Sequence, residues 1–238
     1  MVRLTIFNEF HHETQDDWCK AIYPDGMHMV LKEALEKNPQ ITVRTATQDE
    51  PEHGLTDAVL ADTDVLIWWG HKSHHKVDDN VVNRVYQRVQ RGMGFIPLHS
   101  AHCSKPFIKL LGTNAGNLKW RDIGEKEILW VIEPNHPIAK GIDDKVVIPK
   151  EEMYGERFDI PKPDETVFIS WFEGGEVFRS GCTFTRGYGK IFYFRPGHEA
   201  YRTFYMPEIQ KIIENAVLWA APVQYPKPKQ GETPKTDY

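Results

Sequence analysis

Between residues 2 and 100 the chain alternates short apolar runs with amphipathic helical stretches, and only a few residues link them. VRLTIF (2–7) reads as a strand. Residues 25–37 put Met29, Val30, Ala34 and Leu35 on one helical side, and Asn38-Pro39 ends the helix. ITVRTAT (41–47) alternates with period two. A short helix around 56–60 leads to DVLIWW (64–69), a nearly continuous apolar run of the kind buried on both faces of a parallel sheet. Residues 78–91 carry Val81, Val82, Val85 and Val89 on one stripe, and GFIPLHS (94–100) is a fourth strand. Parallel strands need a crossover, and intervening helices supply it. The pattern therefore predicts an α/β fold with a doubly wound, mainly parallel sheet.

Beyond about residue 115 the texture becomes β-rich. EILWVIE (127–133), KVVIP (145–149), ETVFIS (165–170), GEVFRSGCTFTR (175–186) and GKIFYFRPG (189–197) read as strands separated by Pro, Gly and Asp. Gly187-Tyr188-Gly189 suits a hairpin turn, so this half is partly antiparallel. Residues 207–219 form a last amphipathic helix. We expect one domain over 1–221 and an extended Pro/Lys-rich tail over 222–238, either disordered or strapped onto a neighbour.

The bulk properties narrow the function classes. A net charge of −5 argues against nucleic-acid binding, which usually needs a basic face. No stretch approaches the roughly 18–20 apolar residues of a membrane span, and the N-terminus lacks a signal-peptide pattern. The expected location is cytoplasmic. The three cysteines, Cys19, Cys103 and Cys182, give no disulfide framework and no zinc-finger spacing.

The histidines mark the site. His11 and His12, His71, His74 and His75, His99 and His102, and His198 all follow the carboxyl end of a predicted strand. Ligands of open α/β sheets bind outside those ends, and histidine suits both metal binding and proton transfer near neutral pH. Four stretches carry the candidates. In PLHSAHCSKPF (97–107) a strand-to-helix turn offers Ser100 or Cys103 as a nucleophile, although neither has the small flanking residues of a tight elbow. His99 and His102 then remain as ligands or proton carriers. In WWGHKSHH (68–75) His71 stands closest to the strand end, and Trp68 or Trp69 belongs to the core. RPGHEAY (195–201) supplies the pair His198 and Glu199 on a Pro-Gly turn. NEFHHE (8–13) adds a dense polar group, Glu9, His11, His12 and Glu13. Glu152 and Glu156 (151–161), with Trp171 and Glu173 (171–181), are further candidates. Carboxylates take sugar hydroxyls while aromatic faces such as Tyr154, Tyr201 and Trp171 take the apolar side of a pyranose.

WWGH, PLHSAHCSKPF, EMYGERFDIP, WFEGGEVFRSG and FRPGHE, in that order, resemble the trehalose-utilisation ThuA-like family over roughly residues 2–221. The resemblance implies the class I glutamine amidotransferase-like fold, with its flavodoxin-like sheet, and a role in the use of trehalose or a related disaccharide. Glutamine hydrolysis is not expected, because Cys103 is displaced beyond the elbow and His198 and Glu199 are adjacent. The leading expectation is a sugar-active enzyme, a metal-assisted hydrolase or isomerase. His99, His102, His198 and Glu199 would be catalytic. Glu9, His11, Glu152, Tyr154, Glu156, Trp171 and Glu173 would bind substrate, and His71, His99 or His102, and His198 would form the polar centre and hold a Zn²⁺-like ion, with Glu152 or Glu199 as ligand or base. The expected partners are a small-molecule sugar, a partner sugar dehydrogenase and further copies of the chain. Two alternatives stand beside it: a non-catalytic sugar-binding or regulatory protein, and a hydrolase using Cys103.

Overall fold

The computed structural model describes residues 1–225, 231, 234 and 235. Its strands are β1 (Val2–Asn8), β2 (Ile41–Thr47), β3 (Val65–Trp69), β4 (Gly94–Leu98), β5 (Lys119–Val131), β6 (Lys145–Gly155), β7 (Glu165–Phe172), β8 (Val177–Arg186) and β9 (Gly189–Phe194). They form one nine-stranded sheet in the order β2-β1-β3-β4-β9-β8-β7-β5-β6. The first five members of that order pair in parallel. The rest pair antiparallel, starting from β9. The predicted parallel sheet is thus half of a larger one, and β9 joins the halves: the β-rich part of the chain extends the sheet instead of forming a separate layer.

Helices cover both faces of the parallel half. On one face α3 (Met27–Leu35) and α7 (Pro207–Ala220) pack on Val65, Ile67, Trp69, Ile96 and Leu98. On the other α5 (Asp79–Gln90) and α6 (Lys105–Leu111) pack on Leu66, Trp68 and Phe95. This accounts for the unbroken apolar run in β3, whose five residues are all buried. Trp68 and Trp69, 0% and 1% exposed, are both core. The valine stripe of α5 is buried as its spacing predicts.

Two helices were not legible in the sequence: α1 (His12–Gln15) and α2 (Asp17–Ile22) fill what reads as a polar loop. They carry only one buried apolar side chain between them, Cys19, and so leave little periodicity. Polar contacts fix them instead. The Asn8 side-chain amide donates to Glu13 (2.7 Å), and the same carboxylate oxygen accepts the Met27 N–H (3.1 Å). Asn8 Nδ2 also lies 2.9 Å from His28 Nδ1, so His28 must be neutral there to accept. Burial agrees, pulling its pKa down to about 4.

A stability prediction follows from His28. Its folded pKa lies below the unfolded value of 6.5, so as pH falls the unfolded chain protonates first. The stability that neutral His28 contributes is present above about pH 6.5 and is lost as pH drops toward 4. One pKa unit is worth about 1.4 kcal/mol, which sets the loss at no more than about 3 kcal/mol. Urea melts across this range should slope less steeply in His28→Gln. An unchanged slope would assign the acid lability to other groups.

At the start of the tail the Tyr225 hydroxyl donates to the Thr63 carbonyl at 3.0 Å, and Arg88 lies over its ring. Most of the expected extended tail lies outside the described residues. Among the described residues no helix is long and apolar enough to cross a membrane.

Candidate functional site

One row of register partners, Asn8–Trp69–Leu98–Phe194, runs across the parallel strands at their carboxyl ends. The histidines begin just beyond each member. The row crosses β1 between β2 and β3, where the strand order reverses, and open α/β sheets form their ligand crevice there.

After β4 the chain turns sharply into a short 3₁₀ segment, His99–Cys103. The strained residue of that turn is His99, with φ of 51°. Non-glycine residues rarely adopt this conformation, and it clusters at functional sites. The elbow position expected for Ser100 or Cys103 therefore belongs to a histidine. Its Nδ1–H donates to the Arg195 carbonyl (2.9 Å), which leaves the Nε2 lone pair facing the crevice. Ser100 instead bonds the Tyr154 hydroxyl (3.1 Å).

The β9 end forms the second wall. Trp69 Nε1 donates to the Gly197 carbonyl (3.0 Å), and Glu151 accepts the N–H groups of Gly197 (2.9 Å) and His198 (3.1 Å). Gly197 has φ of 127°, and a Cβ there would meet the Phe204 ring at 2.3 Å, so the turn requires glycine. Behind it, Arg195 is fully buried. It pairs with buried Glu127 and donates to the Glu152 carbonyl (2.7 Å). Burial pushes Glu151 up to about 7 even though Arg195 is near.

Two His/Glu groups result, each with ligand-type atoms within 4.8 Å of one another: His12, His71 and Glu199; and His99, Glu152 and His198. In the first, Glu199 Oε1 lies 3.0 Å from His12 Nε2 and 2.7 Å from His71 Nδ1. Burial alone would raise Glu199, but the contacts with both histidines hold it far below the ordinary carboxylate range. Burial opposes charge on His12 and His71 as well, yet Glu199 outweighs it and their pKa values rise. In the second group, His99 Nε2 is 3.1 Å from Glu152 Oε2, and His198 Nε2 is 3.8 Å from the same oxygen. Burial lowers His99 to about 3 and His198 to about 4 and raises Glu152. The Ala200 N–H donates to His198 Nδ1 (3.1 Å), so neutral His198 carries its proton on Nε2.

A cavity of about 310 Å³ opens onto His71, His198 and Glu152. Tyr154, Leu118 and Trp120 give it apolar walls, and Asp122 adds a carboxylate. Trp120 is 67% exposed. Neither Trp120 nor Asp122 was singled out from sequence, since NLKWRD has the look of a polar strand start. Glu151, Arg195 and Glu127 were missed too, whereas His12 stands among the strand-end histidines of the sequence without an assigned role. The only available signal was a charged residue inside an apolar strand (Arg195 after KIFYF, Glu127 before ILWV).

The other expected residues have different tasks. Glu9 does not face the cavity: its carboxylate accepts the N–H groups of His71 (2.9 Å), Lys72 (2.9 Å) and Ser73 (2.8 Å), which fixes the loop after β3. Glu156 pairs with Arg179 at 2.8 Å. Glu173 is an exposed residue 3.3 Å from Lys126, and Trp171 lies half-buried on β7; neither lines the cavity. His11 is half-buried and also stays off the lining. His102 lines the cavity but joins neither His/Glu group. Its Nδ1–H donates to the Ala115 carbonyl (3.0 Å) and burial lowers its pKa to about 3; the ligand atoms brought together are those of the two His/Glu groups, so His71, His102 and His198 do not form one cluster. Cys103 Sγ lies 3.3 Å from that Nδ1, which already donates to a carbonyl, and 3.8 Å from Nε2, and desolvation pushes the thiol up.

The family model for ThuA, described as trehalose utilisation, matches residues 3–220. No curated relative matches by sequence. Among solved structures, a ThuA-like protein of Parabacteroides merdae superposes with a TM-score of 0.70 at 17% identity, over 94% of this chain and 92% of its own. A cytoplasmic protein of Salmonella typhimurium gives 0.62 at 12%, over 93% and 100%. A glutamine amidotransferase of Thermotoga maritima gives 0.53 at 11%, over 91% and 98%. At such identities these likenesses establish the fold, which is amidotransferase-like as the resemblance implies. The family match spans nearly every described element and every residue of the two His/Glu groups, and the chain belongs to the ThuA family of trehalose utilisation.

Proposed function

We propose that the protein is a sugar-active enzyme whose substrate is trehalose or a related disaccharide, bound in the cavity between Trp120 and the histidine floor. The observation that carries the reading is the pairing of His99 Nε2 with Glu152 Oε2. Both are buried, they lie 3.1 Å apart, and neither is satisfied by an aligned hydrogen bond. His99 Nε2 is an acceptor, since its Nδ1 carries the hydrogen, so Glu152 is the group that brings a proton to the pair. It opens onto the cavity, where that proton can pass to a glycosidic or hydroxyl oxygen. The His198 Nε2–H stands beside it as a second donor to hold the same oxygen. Proton carriers of this kind contribute about 10²–10⁴-fold to rate. The Trp120 face supplies an apolar platform for a pyranose, and Asp122 an acceptor for its hydroxyls.

Trp120→Ala tests the binding half. Trp120 is mostly exposed, so its removal leaves the core alone. Trehalose titrated into the variant should bind about tenfold more weakly, the equivalent of about 1.4 kcal/mol. Equal affinity in both proteins would remove the sugar from this cavity.

A further inference from the structure

We infer that His12, His71 and Glu199 form a binding site for a single divalent transition-metal ion of the Zn²⁺ class, beside the proton-carrying group and not within it. Three observations point to this trio. First, His12 Nε2 and Glu199 Oε2 are buried atoms without a hydrogen-bond partner, in side chains that are each 2% exposed. Unsatisfied buried polar atoms are costly, and an ion held between these side chains would engage the His12 nitrogen and the Glu199 carboxylate. Second, His12 is held from behind: its Nδ1 bonds Asp16 at 2.7 Å, so Nε2 is turned toward Glu199 and presents a free lone pair when an ion displaces its proton. A carboxylate on the far nitrogen is the usual support of a metal-bound histidine. Third, the ligand atoms stand close. Glu199 Oε1 is 3.0 Å from His12 Nε2 and 2.7 Å from His71 Nδ1. Bonds of about 2.0 Å to a tetrahedral zinc would separate its ligands by roughly 3.3 Å, so small rotations suffice.

The second trio, His99, Glu152 and His198, also has its ligand-type atoms within 4.8 Å of one another but suits an ion less well. Its His198 spends Nδ1 on the Ala200 N–H, so Nε2 carries a hydrogen instead of a free pair. His71 has no such conflict, because only its Nδ1 is engaged, and the proton there can move to Nε2 when an ion arrives. His71 also lines the cavity with a side chain 31% exposed, which leaves the fourth position of the ion open toward a sugar oxygen or water. Three protein ligands with one open position is the pattern of catalytic zinc. The inference deepens the sugar-enzyme reading, but metal content is measured without sugar, so the two can fail separately.

The test uses full-length protein without an affinity tag, stripped with a chelator, dialysed against Zn²⁺ and read by elemental analysis. Wild type should hold about one equivalent, His12→Ala almost none, and Glu152→Gln the wild-type amount. Asp16→Asn, which leaves all three ligands in place, should weaken Zn²⁺ binding by about 10–100-fold. It decides the matter if His12→Ala fails to fold. Zinc-free wild type, full zinc in His12→Ala, or unchanged affinity in Asp16→Asn would each overturn the site. Loss of zinc in Glu152→Gln would move the ion to the other trio and overturn it as well.

Discussion

An Arg195→Ala variant is expected to lose about 3–5 kcal/mol of folding stability, the usual effect of removing one partner from a buried ion pair. Arg195 and Glu127 are both fully buried and bonded to each other. Without the guanidinium, Glu127 keeps only the Ser170 hydroxyl as a donor. The same guanidinium bonds the Glu152 carbonyl and lies 5.2 Å over the Phe172 ring, so the loss includes packing and a backbone contact. Natural domains hold only about 5–15 kcal/mol in reserve. Denaturant melts should therefore show a large fall in midpoint at a similar slope. Combining Arg195→Met with Glu127→Gln should recover part of the loss, because no charge is then stranded. A single-variant loss below about 1 kcal/mol would mean that water reaches Glu127 and the pair is not sealed.

Glu152→Gln is expected to cut sugar turnover by about 100-fold or more while leaving the fold intact. The substitution keeps the side chain's shape and the Arg195 contact, which is made by the Glu152 backbone carbonyl. It removes the one group that can bring a proton to the pair with His99. Trehalose affinity should change little, since the cavity keeps Trp120, Asp122 and His198. A fall in affinity at unchanged turnover would make Glu152 a binding group instead of a proton carrier.

These two predictions rest on residues of unequal legibility. The parallel half of the fold could be read from β3 and α5, because burial on both sheet faces and on one helix stripe leaves period and composition in the sequence. The crevice could be located, since histidines after strand ends are a local feature. Which histidines meet was not local. His12 reaches Glu199 from the start of α1, which polar contacts through Asn8 and Glu13 hold in place. His99 took the strained turn position without any glycine to announce it. Glu9 looked like a site carboxylate and is a loop clamp, because a carboxylate that accepts three N–H groups has the same sequence signature as one facing a ligand. Trp120 reached the cavity rim through the pairing of β5 with β6, opposite Tyr154 in register.

Action of the histidine crevice on a sugar has a direct readout. It is tested most directly by proton NMR of the anomeric region of trehalose, incubated with the wild-type protein alone and together with a sugar dehydrogenase. New anomeric signals should grow with wild type under at least one of these conditions and be nearly absent with Glu152→Gln. Unchanged spectra with wild type under both conditions, or equal rates in wild type and Glu152→Gln, would contradict it.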